Sequence, residues 1–285
     1  MLALIQRNIK LFFRDKMTVF FSLLSSLILI GLYFVFLEGT LSVEVADYID
    51  PDLIMFNWLI AGILAINSIS TTLTAFGTKV KDDEKDISKD FHSTPISKAQ
   101  VAGGYIGAAF AISLLVSIFT LFIGELIIYF QYGSIIDFVT FLKVLALTLV
   151  TVFSNSALMY LVILFVDSSG AYSVISSVVG SLSGFIAGVY IPVGVLPDWV
   201  ASIIKFVPST QAASLLRKAL MQNEFQKMSG APNELILEVK ETLGVIFTWG
   251  DGYITTTQSL IYVLLSGVIF YLLAVWKLSK EDSNN

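Results

Sequence analysis

The sequence contains no cysteine and a single histidine, His92. Without cysteine the chain has no disulfide framework, no thiolate nucleophile and no cysteine-ligated metal. One histidine builds neither a zinc site nor a Ser-His-Asp triad. The phosphate-binding motif G-x-x-x-x-G-K-[ST] is also missing. We therefore expect no metal, no cofactor and no catalytic residue in this chain, and no ATP hydrolysis by the chain alone.

Charge is scarce as well. Only 14% of the 285 residues are charged, whereas soluble domains have about a quarter. Hydrophobic residues make up 56% of the chain, and its mean hydropathy is +0.82. The net charge of −5 is modest, and no basic face is visible, so a nucleic-acid partner is not expected. This composition indicates a protein dissolved in lipid.

Long apolar runs account for this composition. A bilayer core of about 30 Å needs about 20 apolar residues of helix. Backbone groups in lipid need hydrogen-bond partners within the segment, and no run alternates with period two, so helices are expected rather than barrel strands. The sequence predicts an all-α integral membrane protein with transmembrane helices at 18–37, 53–76, 101–130, 138–166, 171–191 and 255–276.

Lysine and arginine alternate between the connecting segments. They occur before the first run, in the loop 79–98 and after the sixth run, and are nearly absent from the other short connections. The long segment after the fifth run is an exception, with Lys205, Arg217, Lys218, Lys227 and Lys240, but long segments follow the positive-inside rule poorly. By this rule, both termini and the loop 79–98 are cytoplasmic. Residues 1–17 carry Arg7, Lys10 and Arg14 on one face and apolar residues on the other, which favours an interfacial amphipathic helix. The alternative is a plain basic flank of the first span.

The loop 79–98 is the most polar stretch of the chain, with five lysines and five acidic residues. Because the two signs cancel, a polybasic lipid-binding patch is not indicated. A solvated loop between helices is one interpretation. The other depends on the order of its residues, which ends in "HSTPISKAQV" and leads into a membrane helix rich in small residues.

That order resembles the first cytoplasmic loop of ABC-2-type transporter permeases, with Thr94 to Ser97 as the matched motif. Its upstream half, "DEKDISKD", departs from the basic-acidic-Gly-Thr pattern of the family. The resemblance implies that residues 86–97 form a coupling helix that docks on an ATPase subunit. The expected coupling residues are Asp86, Asp90, Phe91, His92, Thr94, Pro95, Ile96 and Ser97.

The resemblance also implies the partners and the activity. The partners would be two copies of a cytoplasmic ABC ATPase subunit, which hold ATP and Mg, a second permease copy or a homologous permease, and membrane lipid. The scarcity of charges along the spans favours an apolar or amphipathic cargo (a drug, peptide or lipid-like molecule), exported across a bacterial plasma membrane. The alternative is a stand-alone immunity or sensor protein that binds a cytoplasmic regulator through the loop 79–98.

Prolines interrupt the apolar sequence after the fifth run. Because proline cannot continue a helix, we expect a re-entrant or interfacial helix near 198–206, followed by two amphipathic helices within an extracellular segment 192–254. The alternative is an ordinary span that ends at a proline. The expected outer-gate residues are Pro192, Leu196, Pro197, Trp199 and Pro208.

Small residues recur every four positions in the fifth run, at Ser176, Gly180, Gly184 and Gly188, and the third run has a similar line at Gly103, Gly107 and Ala111. Such lines let helices approach closely, either inside one subunit or at a dimer axis beside the cargo path. Two polar residues within spans are further candidates for helix packing or the cargo path. They are Asn155 and Glu125, the latter with Lys143 as a possible partner.

Overall fold

The fold is a helical bundle, described here from a computed structural model that covers residues 1–37, 46–87, 96–249 and 252–283. Two strands of two residues each, β1 (Thr248–Trp249) and β2 (Gly252–Tyr253), form the sheet seen in these ranges. The helices are α1 (Leu2–Arg14), α2 (Lys16–Leu32), α3 (Pro51–Glu84), α4 (Lys98–Tyr132), α5 (Phe138–Ile163), α6 (Ser169–Ile186), α7 (Asp198–Ile204), α8 (Pro208–Leu220), α9 (Gln222–Lys227), α10 (Asn233–Thr242) and α11 (Thr256–Ser283).

Helix α3 forms the centre of the bundle. It is buried along almost its whole apolar length and packs against α2, α4, α5, α6 and α8. A helix that is apolar on every side is typical of a position surrounded by other helices. The core therefore consists of α3 and the faces that its neighbours turn toward it.

Six helices in the described part of the chain are long and apolar enough to cross a membrane: α2 to α6 and α11. This confirms the prediction of an all-α membrane protein with six membrane helices. Helix α1, the end of α3, the start of α4 and the end of α11 lie at one end of the bundle, here called the terminal end. The opposite end, here called the far end, carries α7 to α10 and both strands.

The helix bounds differ from the apolar runs at several places, three of which are informative. Helix α3 continues through the charged residues 79–84, which the sequence assigned to the coupling loop. Helix α6 ends at Ile186, before the expected 191, because Gly188 there has a φ of 63°. Helix α2 begins at Lys16 and continues as a π-helical turn, Tyr33–Leu37.

Side-chain caps fix where several spans begin. Asp50 accepts from the backbone N–H groups of Asp52 and Leu53 at 3.0 and 3.1 Å, and Pro51 stands at the first helical position of α3. Asp137 accepts from two N–H groups at the start of α5. Such caps satisfy amide groups that have no partner inside the helix.

The far end holds a small subdomain between α6 and α11. A 3-10 turn, Val193–Val195, packs against the end of α10, where a Cβ on Gly194 would lie 2.4 Å from the Cα of Thr242. The short helix α7 follows, and Pro208 starts α8, which runs back against α3, α5 and α11. The proline-rich segment is thus divided into separate short elements, as the fixed φ of proline favours.

Candidate functional site

Three helices meet at a buried carboxylate at the terminal end. Arg7 of α1 donates two hydrogen bonds to Asp82 of α3, at 2.6 and 2.8 Å, and Tyr105 of α4 donates a third at 2.6 Å. Asp82 is only 4% exposed. The bond to Asp82 is the main cause of a raised pKa at Arg7, so its charge is secure at every physiological pH. We call these three residues the Arg7 cluster.

Glycines in α4 explain why α1 lies close enough to form the Arg7 cluster. A Cβ on Gly104 would lie 2.5 Å from Leu4, and one on Gly107 would lie 2.8 Å from Ile5. A Cβ on Gly103 would lie 3.0 Å from the sulfur of Met1. The small residues noted at 103 and 107 therefore receive the apolar face of α1, as close packing of helices requires.

The connection between α3 and α4 leaves the bundle next to the Arg7 cluster. Helix α3 ends at Glu84, and Asp86 takes a left-handed conformation with a φ of 60°. Ser169 of α6 donates a hydrogen bond to Glu84, which adds a fourth helix to this end. The connection therefore joins α3 at Glu84, two residues after Asp82.

The expected coupling residues are only partly visible. Asp90, Phe91, His92, Thr94 and Pro95 lie outside the described residues. Three others are described, and all are exposed: Asp86, Ile96 and Ser97.

Ser97 has a structural role that the motif alone did not reveal. Its hydroxyl accepts from the N–H of Gln100 at 3.3 Å, and the Gln100 side chain accepts from the N–H of Ser97 at 3.1 Å. This reciprocal capping box starts α4. The coupling function of the eight residues remains a prediction.

Buried polar side chains link the spans inside the bundle. Asn155 of α5 donates to Ser68 at 2.6 Å and accepts from Ser209 at 2.7 Å, which joins α3, α5 and α8. Asn67 of α3 likewise accepts from Ser26 and donates to Thr120. For Asn155, these contacts favour helix packing over a place in the cargo path.

Glu125 lies near the far end of α4. Its Oε2 accepts from the N–H of Ile136 at 3.2 Å, and its Oε1 is buried without a hydrogen-bond partner in the described chain. Lys143 donates instead to Gln222 at 3.3 Å, so the expected contact between Glu125 and Lys143 does not form. The observed bond fixes the loop between α4 and α5, which again favours packing.

A groove of about 740 Å³ opens between α2, α3 and α6. Its walls are apolar side chains of α2 and a row of hydroxyl groups. Asp15, at its terminal end, is the one charged residue among the described lining residues. Two hydrogen bonds with Thr18 lower the pKa of Asp15, which keeps it ionised there. The hydroxyl residues are Thr18, Ser22, Ser25, Ser70, Thr71, Thr74 and Ser183.

The small residues of α6 face different surroundings. Gly180 borders the groove, and a Cβ there would meet nothing within 4 Å. Gly184 packs under the ring of Tyr190, which a Cβ would approach to 2.2 Å. The hydroxyl of Ser176 is buried, and Gly188 ends the helix. Among the four residues, Gly180 is therefore the one that borders the groove.

Two helices end in the same way around Gly188 and Gly244 at the far end. Both glycines have a φ near 62°, and the residues that follow them donate back to Gly184 and Lys240, each at 2.8 Å. This Schellman geometry ends α6 and α10 side by side. The negative ends of two helix dipoles therefore converge on one place.

Arg217 of α8 occupies that place. Its Nη2 donates to the carbonyls of Ala187 and Gly188 at 2.7 and 3.0 Å, and its guanidinium lies 5.0 Å from the ring of Trp58. The side chain is fully buried, and burial lowers its pKa to about 9. Trp58 itself donates to Leu243 at the end of α10. Arg217 and Trp58 together thus join α3, α6, α8 and α10.

The expected outer-gate residues surround this junction. Pro192 precedes the 3-10 turn, Pro197 precedes α7, and Pro208 is the first residue of α8. Leu196 is half-buried against the core of the subdomain, whereas Trp199 is 69% exposed. The structure places the five residues in one subdomain, and their gating role remains a prediction.

The family model of the ABC-2 type transporter matches residues 1–221, a range that contains the Arg7 cluster, the groove and Arg217. The chain belongs to this family. It is therefore a membrane component of an ABC transporter and not itself catalytic, and the family implies association with an ABC ATPase. No curated protein sequence matches the chain. The family match favours a transporter component over a stand-alone immunity or sensor protein.

Two functional features of this permease were missed in its sequence. Arg217 was read only as a charge in the extracellular segment, and Asp82 only as one of five acids in a loop. One signal was available for Ser97, because S-x-x-Q before a helix is a capping-box pattern. Arg217 gave no such signal, because its partners are backbone carbonyls and an aromatic ring.

Proposed function

We propose that this permease is the membrane subunit of an ATP-driven exporter for an apolar or amphipathic cargo. A separate ATPase subunit, which binds ATP and Mg, docks on the connection between α3 and α4. Closure of the ATPase dimer displaces that connection, and the spans alternate between inward-open and outward-open states. A ligand shifts such an equilibrium only through a difference in affinity between the two states.

The observation that carries this proposal is the Arg7 cluster beside the connection. Three charge-assisted hydrogen bonds join α1, α3 and α4, and Ser169 joins α6 to the same end of α3. Charge-assisted bonds are about twice as strong as neutral ones. A displacement of the connection therefore moves these four helices together, as a rigid-body transition requires.

The groove between α2, α3 and α6 supports the cargo class. Its apolar wall suits an apolar body. Most of its hydroxyl groups donate within the chain, and their oxygens can still accept a hydrogen bond from cargo without carrying charge. Ligand sites commonly combine mostly apolar walls with a few polar groups. The near absence of charge in the lining disfavours an inorganic ion or a sugar phosphate as cargo.

The exposed faces of α2 and α6 support pairing with a second permease copy or a homologous permease. The α6 residues Val174, Val178 and Leu182 recur at helical spacing, and all three are exposed. A second subunit that covers these helices would close the groove into a path. We place the terminal end in the cytoplasm of a bacterial cell, because the lysine and arginine pattern predicts that side.

Co-purification tests the proposal first. The permease is expressed with an ABC ATPase, for which a neighbouring gene is the first candidate, and the two are expected to form a complex that exports cargo only with ATP. In reconstituted complexes, Asp86→Lys and Pro95→Gly should lower cargo-stimulated ATP hydrolysis at least fivefold. Lys227→Gln, at the far end, serves as the matched control and should leave it unchanged.

Two results would overturn the proposal. One is transport by the purified permease without any nucleotide-hydrolysing subunit. The other is normal export by both connection variants, which would remove the coupling role from this segment.

A further inference from the structure

A cavity of about 450 Å³ lies at the far end, away from the groove and from Arg217. The residue after α7, the two strands and the first turn of α11 enclose it. We call it the far-end cavity. Most of its lining residues, among them Trp249 and Gln258, lie beyond the region that matches the family, so the match says nothing about this cavity.

Internal hydrogen bonds fix the walls of the far-end cavity. Gln211 donates to the carbonyl of Lys205 at 2.8 Å and accepts from Ser259 at 2.9 Å. Tyr262 donates to the carbonyl of Phe206 at 2.5 Å. These bonds join α7, α8 and α11, so the cavity has a fixed shape before any ligand arrives.

Three hydrogen-bond donors remain available in the cavity. The Lys205 ammonium, the Trp249 indole N–H and the Gln258 amide NH₂ have no hydrogen-bond partner among the described residues. The Gln258 carbonyl is already used, because it accepts from Thr255 at 2.8 and 3.0 Å. One positive charge with two neutral donors fits an anionic group that has several acceptor oxygens.

The surface beside the cavity is apolar. Trp199, Ile203 and Phe206 recur at helical spacing along α7 and its end, and each is at least 56% exposed. The ring of Phe206 meets that of Trp249 edge to face at 5.1 Å, so this face continues into the cavity wall. Exposed aromatic residues next to a lysine at the end of a span are typical of the level of lipid headgroups.

We propose that the far-end cavity binds the phosphate of a membrane phospholipid. Lys205 pairs with the phosphate charge, while Trp249 and Gln258 donate to its oxygens. The acyl chains lie along the exposed face of Trp199, Ile203 and Phe206. A cavity of this size falls in the range of small-ligand sites. The same donor set suits free phosphate in water, but only a lipid also covers the apolar face.

Binding measurements on the purified, delipidated protein test this site. Short-chain phosphatidylglycerol is titrated and followed by native mass spectrometry, with diacylglycerol of the same chain length and inorganic phosphate as separate arms. We expect phosphatidylglycerol to bind at least tenfold more tightly than either. Lys205→Gln should weaken it at least tenfold and Trp249→Phe about threefold, whereas Lys227→Gln should change it less than twofold.

Both substitutions leave the fixed walls in place, because the carbonyl of Lys205 and the ring at position 249 are kept. Thermal unfolding identifies any variant that fails to fold. Equal binding by wild type and both variants would overturn the proposal. Equal affinity for inorganic phosphate and phosphatidylglycerol would also overturn it, in favour of a site for soluble anions. Neither result depends on ATP-driven export.

Discussion

At the scale of single residues, Arg217 has the largest predicted effect on stability. The buried guanidinium of Arg217 donates to two backbone carbonyls. A hydrogen bond from a charged group stabilises a fold by about 1.5–3 kcal/mol. Removal of Arg217 leaves two carbonyls at the end of α6 without their donor. The buried Nε and Nη1 have no hydrogen-bond partner among the described residues, so the burial of the guanidinium already has a cost. Arg217 therefore stabilises the far end through the placement of its hydrogen-bond donors as much as through its charge.

We expect Arg217→Met to lower the stability of the permease by about 2–4 kcal/mol, because two buried carbonyls lose their donor. For a chain of this size, that corresponds to a fall of about 5–10 °C in the midpoint of thermal unfolding in detergent. Arg217→Lys should have an unfolding midpoint between those of the wild type and Arg217→Met, because an ammonium reaches the carbonyls without the planar fork of the guanidinium. Lys10→Met, at an exposed position of α1, is the control. An unchanged midpoint for Arg217→Met would refute the role.

Arg7 and Asp82 provide a second test at the residue scale. A double-mutant cycle with Arg7→Gln and Asp82→Asn should give a coupling energy of about 1–3 kcal/mol, because each change leaves the other charge without its partner. Lys10→Gln, at an exposed position of the same helix, should show no coupling with Asp82→Asn. The measurement is thermal unfolding of the four proteins, and additive effects would mean that the ion pair contributes nothing.

At the scale of helices, the cap of α5 makes stability depend on pH. Asp137 accepts from the Thr140 hydroxyl at 2.6 Å and from two backbone N–H groups at 3.0 Å, and these bonds lower its pKa to about 2. The unfolded carboxyl has a pKa of about 3.9. Because the folded value is lower, the stabilisation is present above pH 4 and is lost as the pH falls through 2.

Asp137→Asn keeps a good cap but removes this titration. We expect the unfolding midpoint of the wild type to fall more steeply than that of Asp137→Asn between pH 4 and pH 2. Above pH 5 the two proteins should differ by a constant amount. Parallel curves over the whole range would show that Asp137 is not the titrating group.

The sequence predicted the helices better than their ends. An apolar run of about 20 residues in lipid must satisfy its backbone hydrogen bonds within the segment, and a helix does so. All six membrane helices were therefore predictable. The last turn of α3 was not, because its charged residues are helical through contacts with Arg7 and Tyr105, which lie 75 and 23 residues away. The end of α6 was missed because apolar residues continue after Gly188, where only the backbone turns.

At the scale of the whole molecule, the groove between α2, α3 and α6 is open on one side, and the proposed second subunit would close it. Gly180 is the position to test, because a Cβ there meets nothing within 4 Å, whereas a Cβ on Gly184 would strike Tyr190. The native chain has no cysteine, so single-cysteine variants need no prior changes.

We expect Gly180→Cys to give a disulfide-linked dimer in membranes treated with a mild oxidant. Val268→Cys, on an exposed face of α11 away from the groove, should give none. The products are read on a non-reducing gel. A linked dimer from Val268→Cys but not from Gly180→Cys would place the partner on the opposite side of the molecule.

Much of the candidate site could not be predicted from the sequence, because it consists of contacts between segments that are distant in the chain. Motif patterns reveal local contacts, such as the capping box of Ser97, but a contact between distant segments depends on how the helices pack. The glycines of α4 were predicted to allow close approach, yet the sequence did not show that α1 is the partner. Arg217 and Trp58 donate to backbone carbonyls at the ends of α6 and α10. Every residue has a backbone carbonyl, so the sequence does not show which carbonyls will accept these bonds.

Helix α3 joins the two ends of the molecule in one uninterrupted element. Asp82 contacts α1 and α4 at one end, and Trp58 contacts Arg217 at the other, about 36 Å away along the axis at 1.5 Å per residue. The helix is continuous from Pro51 to Glu84, and no proline lies between these two residues. In the proposed transport cycle, a movement of α3 at Asp82 would therefore reach the Trp58 indole through the helix itself, without a relay of side chains between them.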